Sequence, residues 1–126
     1  MSEVRRYQDL VVWQKAMDFV VACYAVSRNF PSSEKFGHSS QLQRAAVSIP
    51  ANIAEGQGRQ HTAEFIQFLC IAYGSLMEAE THLQIAQRLG YLDNLVLKEL
   101  LMQSAEVGRL LNGLLRSLRQ KLQKTL

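Results

Sequence analysis

The chain of 126 residues contains few prolines, glycines and cysteines: two, seven and two, respectively. Irregular and disulfide-linked proteins are rich in these residues. The scarcity of proline and glycine argues against long irregular segments. Cys23 and Cys70 lie far apart in apolar, helix-like stretches, which excludes a disulfide framework and a paired-cysteine zinc motif. We therefore expect two free thiols in a reducing compartment.

Long apolar runs are also absent. No segment approaches the ~18 consecutive apolar residues of a membrane span. The opening MSEVRRYQDL lacks the apolar centre of a secretory signal, so we expect a cytoplasmic protein without a membrane partner. The hydrophobic content of 48% is enough for a packed core, and the length predicts a single domain over residues 1–126.

Motifs for catalysis and metal binding are missing as well. The histidines, His38, His61 and His82, are widely spaced, and EAETH puts Glu78 four residues before His82. Di-iron bundles need Glu-x-x-His pairs from two helices, so we interpret this pair as a polar contact. No nucleophile elbow or P-loop is present. The sequence predicts a protein that is not an enzyme and has no catalytic residue, metal or cofactor.

The apolar pattern predicts four helices and no strand. Apolar residues recur at steps of four and three, which is typical of helix seams, and no alternating pattern occurs. This predicts an all-α, antiparallel up-down-up-down four-helix bundle. The predicted helices cover about residues 10–28, Ser39 to Gly56, Thr62 (as N-cap) to the residue before Gly90, and Asp93 (as N-cap) onward. The seam of helix 3 is Phe65, Leu69, Ala72, Leu76, Ala79, Leu83 and Ala86.

Helices 1 and 4 carry more apolar surface than one bundle interior can use. Each has two adjacent stripes; on helix 1 the first contains Trp13, Met17, Val20 and Tyr24. We expect the second stripes to be buried between copies of the chain, because a monomer would expose them as a large apolar patch. The interface candidates are Val12, Phe19, Val26, Leu100, Val107, Leu110 and Leu114.

The stretch RAAVSIPANIAEGQGRQ, residues 44–60, places Pro50 inside helix-forming sequence. Proline removes one helical hydrogen bond, so the helix either kinks or stops and restarts. The apolar face continues across Pro50, which favours a kink in a continuous helix that ends at Gly56. Asn52 and Glu55 share a face beside it. They either satisfy carbonyls freed by the proline, or pair with the region of Glu78 and Glu80, or contact a ligand.

Positive charge gathers near the end of the sequence. The formal net charge is +3, and residues 109–126 carry five basic and no acidic residues. These are the candidate nucleic-acid-binding residues Arg109, Arg116, Arg119, Lys121 and Lys124, to which Arg59 in the glycine-containing turn is added, with Arg5 and Arg6 as further candidates. The competing interpretation is a solvated helix end that the helix dipole favours.

Two segments carry a family resemblance. QLQRAAVSIPANIAEGQGR and FIQFLCIAYGSLMEAETHLQIAQRLGYL closely resemble the bacterial proteins encoded by intervening sequences in 23S ribosomal RNA genes. YQDLVVWQKAMDFVVACY resembles the first helix of that family. The resemblance implies a four-helix bundle that assembles as a homopentameric ring and has no known catalytic activity. More distantly, the chain is similar to the accessory variability determinant of diversity-generating retroelements, which binds nucleic acid and a reverse transcriptase.

Two functions of different classes follow from this. The leading hypothesis is a non-enzymatic, basic, oligomeric protein that binds RNA or DNA or serves as a scaffold. By the distant resemblance, a reverse transcriptase is a further candidate partner. The alternative is a protein-protein adaptor whose charge only keeps it in solution. A third, weaker hypothesis is a binder of small ligands in the channel of a ring.

Overall fold

A computed structural model of the protein describes residues 6–125. Within this range four α-helices form and no strand is present. The helices are α1 (Val11–Ser27), α2 (His38–Gly58), α3 (Thr62–Arg88) and α4 (Asn94–Thr125), with short 3-10 turns at Tyr7–Asp9 and Ser32–Glu34. The all-helical fold with four helices is as predicted. None of these helices has the length and apolarity needed to cross a bilayer.

The helix ends follow local sequence signals in part. The backbone N–H of Val96 donates to Asp93 Oδ1 at 2.9 Å, which confirms Asp93 as the N-cap of α4. Gly90 has a φ of 82°, the left-handed conformation that stops α3. The N-cap of α3 is His61 rather than Thr62, and it makes no side-chain capping bond.

The seam of α3 forms the centre of the core. Leu69, Leu76 and Leu83 are fully buried and are spaced two turns apart. The alanines between them, Ala72, Ala79 and Ala86, are buried too; Phe65 is half-buried at the edge. Alternation of leucine with alanine lets neighbouring backbones approach while the larger side chains fill the space between them.

The most extensive packing between two helices is that of α2 against α3. His38, the first residue of α2, contacts His82 near the end of α3, with the two Nδ1 atoms 3.3 Å apart. At the other end of α2, Gly56 lies against Phe68 near the start of α3. The number of residues that separates two contacting positions therefore decreases toward the connection of residues 59–61.

Pro50 lies inside one uninterrupted helix, so α2 does not stop and restart. Pro50 and Ile53 are both buried. Asn52 Nδ2 donates to the Ser48 carbonyl at 2.7 Å and to Ser48 Oγ at 2.9 Å, and Ser48 Oγ shares a hydrogen bond of 2.8 Å with Ser75 Oγ. Asn52 therefore belongs to a polar junction between α2 and α3. Proline has no N–H to donate to the Ala46 carbonyl, which therefore loses its helical partner. Asn52 does not replace that partner, because it donates to the carbonyl of Ser48 instead.

Gly56 does not end α2, contrary to the prediction, because the helix continues to Gly58. Gly56 is a packing residue. A Cβ added there would lie 2.6 Å from Cβ of Phe68 and 3.0 Å from Cδ1 of Phe65. The first of these separations is one that real Cβ atoms do not adopt, so only glycine lets α2 approach α3 this closely.

The interface candidates on α1 lie in the core of the single chain instead. Val12, Phe19 and Val26 are at most 8% exposed, whereas Met17 and Tyr24 of the other stripe are 38% and 36% exposed. The stripe of α1 that was predicted to lie at an interface is therefore the one buried within the chain. In the other stripe Met17 and Tyr24 are exposed, whereas Trp13 and Val20 are half-buried against the core. Large or polar-tipped side chains such as these tolerate partial hydration.

On α4 the interface prediction is wrong for two of its four residues. Leu100 and Val107 are 4% and 1% exposed, so they are covered within one chain and are not available to another copy. Leu110 and Leu114 are half-buried and pack against the edge of the core. They keep an accessible portion.

The close approach at Gly56 gives a direct test. We expect Gly56→Ala to lower the free energy of unfolding by about 1–3 kcal/mol, because the new methyl overpacks the α2–α3 contact. Chemical denaturation measures this change. Gly74→Ala is the matched control, since nothing lies within 4 Å of a Cβ there. Gly74 is exposed within α3, so its replacement should stabilise the protein by about 0.5–1 kcal/mol. Equal effects of the two substitutions would refute the packing role.

Candidate nucleic-acid interface

The last three turns of α4 carry exposed cations. Arg116, Arg119, Lys121 and Lys124 are all exposed, and no acidic residue follows Glu106 in the sequence. Arginine and lysine near a helix C-terminus complement the partial negative charge of the backbone carbonyls there. The four cations therefore stabilise the end of α4, and their side chains remain exposed to solvent.

Three cations share one face of α4. Arg109, Arg116 and Lys124 are seven and eight residues apart, so they project within about 80° of one another around the helix axis. Their Cα atoms are spaced by about 10–12 Å along the axis. All three are exposed. The exposed stripe of positive charge thus runs through Arg109, Arg116 and Lys124.

Arg119 and Lys121 lie on the two flanks of this stripe. Arg119 Nη2 donates to Cys70 Sγ at 3.6 Å and so rests on α3. Lys121 lines a cleft with Leu118 on one side and Gly56, His61 and Thr62 on the other. The end of α4 therefore borders the connection between α2 and α3.

Arg59 joins the same end of the molecule through this connection. Its Nη2 lies 3.1 Å from Glu55 Oε2, and its guanidinium carbon lies 5.2 Å from the ring centre of Phe68. About half of each side chain in the Arg59–Glu55 pair is exposed, and such exposed pairs are weak. Phosphate could therefore replace Glu55 as the partner of Arg59 at little cost. Arg6 is exposed, and Arg5 lies outside the described residues.

The remaining motif residues differ in their roles. Glu55 is an exposed ion-pair partner, whereas Pro50 and Gly56 are buried and have no polar side-chain group. The Asn52 amide nitrogen is occupied by Ser48. The structure brings Arg59 together with the end of α4, and it separates both from the polar junction at Asn52.

At the opposite end of the molecule, three polar residues form a hydrogen-bonded cluster that was not predicted from the sequence. Tyr91 Oη donates to Glu34 Oε2 at 2.8 Å, and the backbone N–H of His38 donates to Glu34 Oε1 at 3.2 Å. The Tyr91 bond and then the His38 bond hold the pKa of Glu34 below its usual range. The same bond to Glu34 raises the pKa of Tyr91. The Tyr91–Glu34 bond joins the α1–α2 and α3–α4 connections across 57 residues, so no local sequence pattern could have indicated it.

No cluster of three or more His, Cys, Asp or Glu side chains within residues 6–125 is arranged to hold a metal ion. The cysteines are free and unlike each other, since Cys23 is buried and Cys70 is exposed. Burial raises the pKa of the Cys23 thiol to about 12.

Comparison with known proteins places this arrangement in a family. The family model of the 23S rRNA-intervening sequence protein matches residues 8–113. The chain belongs to this family. No curated protein matches the chain. The match spans all of α1, α2 and α3 and stops before the four cations at the end of α4.

A solved family member has a similar structure. It is a protein with unknown function of the S23 ribosomal protein family from Bacteroides thetaiotaomicron, determined by crystallography at 1.70 Å. The TM-score is 0.77 at 30% sequence identity, over 83% of this chain and 98% of that chain. The resemblance to the 23S rRNA-intervening sequence proteins inferred from the sequence is thereby confirmed.

The contrast between the two cysteines predicts their reactivity. We expect a disulfide reagent such as 5,5′-dithiobis(2-nitrobenzoate) to titrate one thiol per native chain, because the buried Cys23 resists ionisation. Under denaturing conditions two thiols should react. The Cys70→Ser variant should show none in the native state. Rapid reaction of that variant without denaturant would contradict the burial of Cys23.

Proposed function

We propose that this member of the 23S rRNA-intervening sequence protein family is a non-enzymatic, basic, oligomeric protein that binds nucleic acid through the end of α4. One observation carries this proposal: five exposed cations without an intervening acidic residue project from residues 109–124 of α4, and Arg59 lies at the same end. Such clusters attract the phosphate backbone without reading its sequence. We further propose that the chain is one domain.

The proposed assembly is an antiparallel up-down-up-down bundle, bent at Pro50 and repeated as a homopentamer. Opposite directions of α3 and α4 are supported by contacts of Ser104 with Glu80 and of Arg119 with Cys70, since position numbers rise on one helix as they fall on the other. The same relation holds for the α2–α3 contacts between His38 and His82 and at Gly56.

The face proposed for self-association is a shallow apolar groove between α1 and α2. It is lined by Trp13, Met17, Val47, Ala51 and Ala54, with Tyr7, Pro50 and Glu55 at its margins. Met17 and Val47 are 38% and 42% exposed, and the groove holds one charged side chain. A second copy of the chain is the proposed occupant, because the outward residues of α1 leave apolar surface that a single chain does not cover.

Assembly would strengthen weak phosphate contacts. Five chains of 14.3 kDa and charge +3 give a particle of about 72 kDa with a formal charge of about +15. Each chain would add one cationic end. Several such ends acting on one nucleic acid raise the effective concentration of every further contact.

Met17→Asp tests the assembly face. We expect it to leave the helical content of the chain intact and to shift its mass in sedimentation or multi-angle light scattering toward the monomer. Burying an unpaired carboxylate in an interface costs on the order of 3–5 kcal/mol. The matched control is Met102→Asp, which introduces the same change at a position that is 65% exposed on α4. A monomeric control beside an intact Met17→Asp oligomer would move the interface to α4.

Substitution of the cations tests nucleic-acid binding. Fluorescence anisotropy with structured RNA and duplex DNA should show binding that weakens steeply between about 50 and 200 mM salt. Glutamine at positions 116, 119, 121 and 124 should flatten that dependence by up to about 0.9 in logarithmic slope for each phosphate that the variant no longer neutralises. The oligomer should remain intact.

The control for this experiment removes equal charge from elsewhere. Arg28, Lys35, Arg88 and Lys98 are four exposed cations outside the second half of α4. Their replacement by glutamine should leave most of the affinity and its salt slope in place. If the wild type binds neither probe at about 50 mM salt, the adaptor hypothesis replaces this one, with the apolar groove as its partner surface.

A further inference from the structure

A histidine pair connects α2 and α3 at the end of the molecule opposite Arg59. His38 opens α2 and His82 lies in the last third of α3. Their Nδ1 atoms are 3.3 Å apart, their ring centres are 5.4 Å apart and the rings are tilted by 74°. Neither the basic end of α4 nor the apolar groove includes this pair.

The separation of the two nitrogen atoms is that of two ligands on one metal ion. At 3.3 Å the two rings can share one N–H···N hydrogen bond, which is longer than the ~2.9–3.0 Å that is usual for N–H···O. Two imidazole nitrogens bound at about 2.0–2.1 Å to a tetrahedral zinc ion are about 3.3–3.4 Å apart. The pair therefore needs little movement to hold such an ion.

The surroundings of His82 are close to those of a metal-ligating histidine, with the carboxylate slightly beyond hydrogen-bond distance. Its Nε2 lies 3.7 Å from Glu78 Oε2, one turn earlier on α3, and only 11% of its side chain is exposed. A carboxylate behind the second ring nitrogen favours the proton there and leaves the lone pair of Nδ1 for a metal. Burial also restricts the rotamers of the ring, which lowers the cost of ordering it around an ion.

His38 is held from the other side. Its backbone N–H donates to Glu34 Oε1, and Glu34 is fixed in turn by the hydroxyl of Tyr91. The start of α2 is thus anchored to two connections. Glu34 and Glu78 place two carboxylates around the pair, which offsets the charge of a divalent cation.

We propose that His38 and His82 form a two-histidine site for a divalent transition-metal ion, with water completing the coordination. Imidazole nitrogen favours zinc, copper and nickel over magnesium and calcium, which prefer oxygen. With two protein ligands the site is weaker than a structural zinc centre. A bound ion would clamp the start of α2 to α3 in the folded state and so stabilise the fold.

The test uses Zn²⁺ and the full chain with Cys70→Ser as the parent, because an exposed thiol would bind zinc by itself. Calorimetric titration of the parent should show one Zn²⁺ per chain, and its thermal midpoint should rise with Zn²⁺ but not with Mg²⁺. His38→Gln and His82→Gln should abolish saturable binding. Glu78→Gln should weaken it by about tenfold or more. His61→Gln, an exposed histidine at the other end of α2, should bind as the parent does.

Two results would overturn the proposal. One is a parent that shows no saturable binding. The other is a folded His38→Gln or His82→Gln variant that binds Zn²⁺ as well as His61→Gln does. If either variant loses its helical circular dichroism, the electron paramagnetic resonance of the parent with Cu²⁺ decides, because a two-histidine site gives coupling to two nitrogen ligands. Coupling to one nitrogen or none would refute the site.

Discussion

The close approach of α2 to α3 is the contact on which the rest of the structure depends. Gly56 leaves no room for a Cβ against Phe68, and about two turns earlier on α2 Ser48 bonds to Ser75. A shift of one helix along the other would drive backbone into an aromatic side chain and break a half-buried hydroxyl pair. Both costs oppose sliding, so the register of the two helices is specified by sterics and by polar contacts together.

This register also determines which charges become neighbours. Because α2 ends beside the start of α3, Arg59 lies near Phe68, and the cleft at the same place includes Lys121 of α4. The opposite end receives His38, His82 and Glu34 by the same constraint. The two ends of the molecule thus differ in chemistry, one rich in guanidinium and ammonium groups and the other in imidazole and carboxylate. A helix pair without a fixed register would not keep these sets apart.

The sequence predicts the helices well because their seams, caps and breakers act locally, as Asp93 and Gly90 illustrate. It does not decide which of two adjacent apolar stripes on α1 turns inward, since both satisfy the same spacing. Composition contains the missing signal: the stripe with Phe19 and Cys23 has no polar tip, whereas the other includes Trp13 and Tyr24. The His38–His82 contact leaves no such trace, because only tertiary packing brings together residues 44 positions apart.

The residues that identify the family mostly serve packing, and this limits what membership implies. Ser48, Asn52 and Gly56 build the α2–α3 contact and Pro50 is buried within α2, so their presence signals the fold. The family match ends at residue 113, before the cations from Arg116 to Lys124. The proposed phosphate contacts therefore rest mainly on a segment outside the matched region. A function that depends on that segment relies on charges of this chain that lie outside the family match. The residues shared with the family contribute by placing Arg59 beside the end of α4.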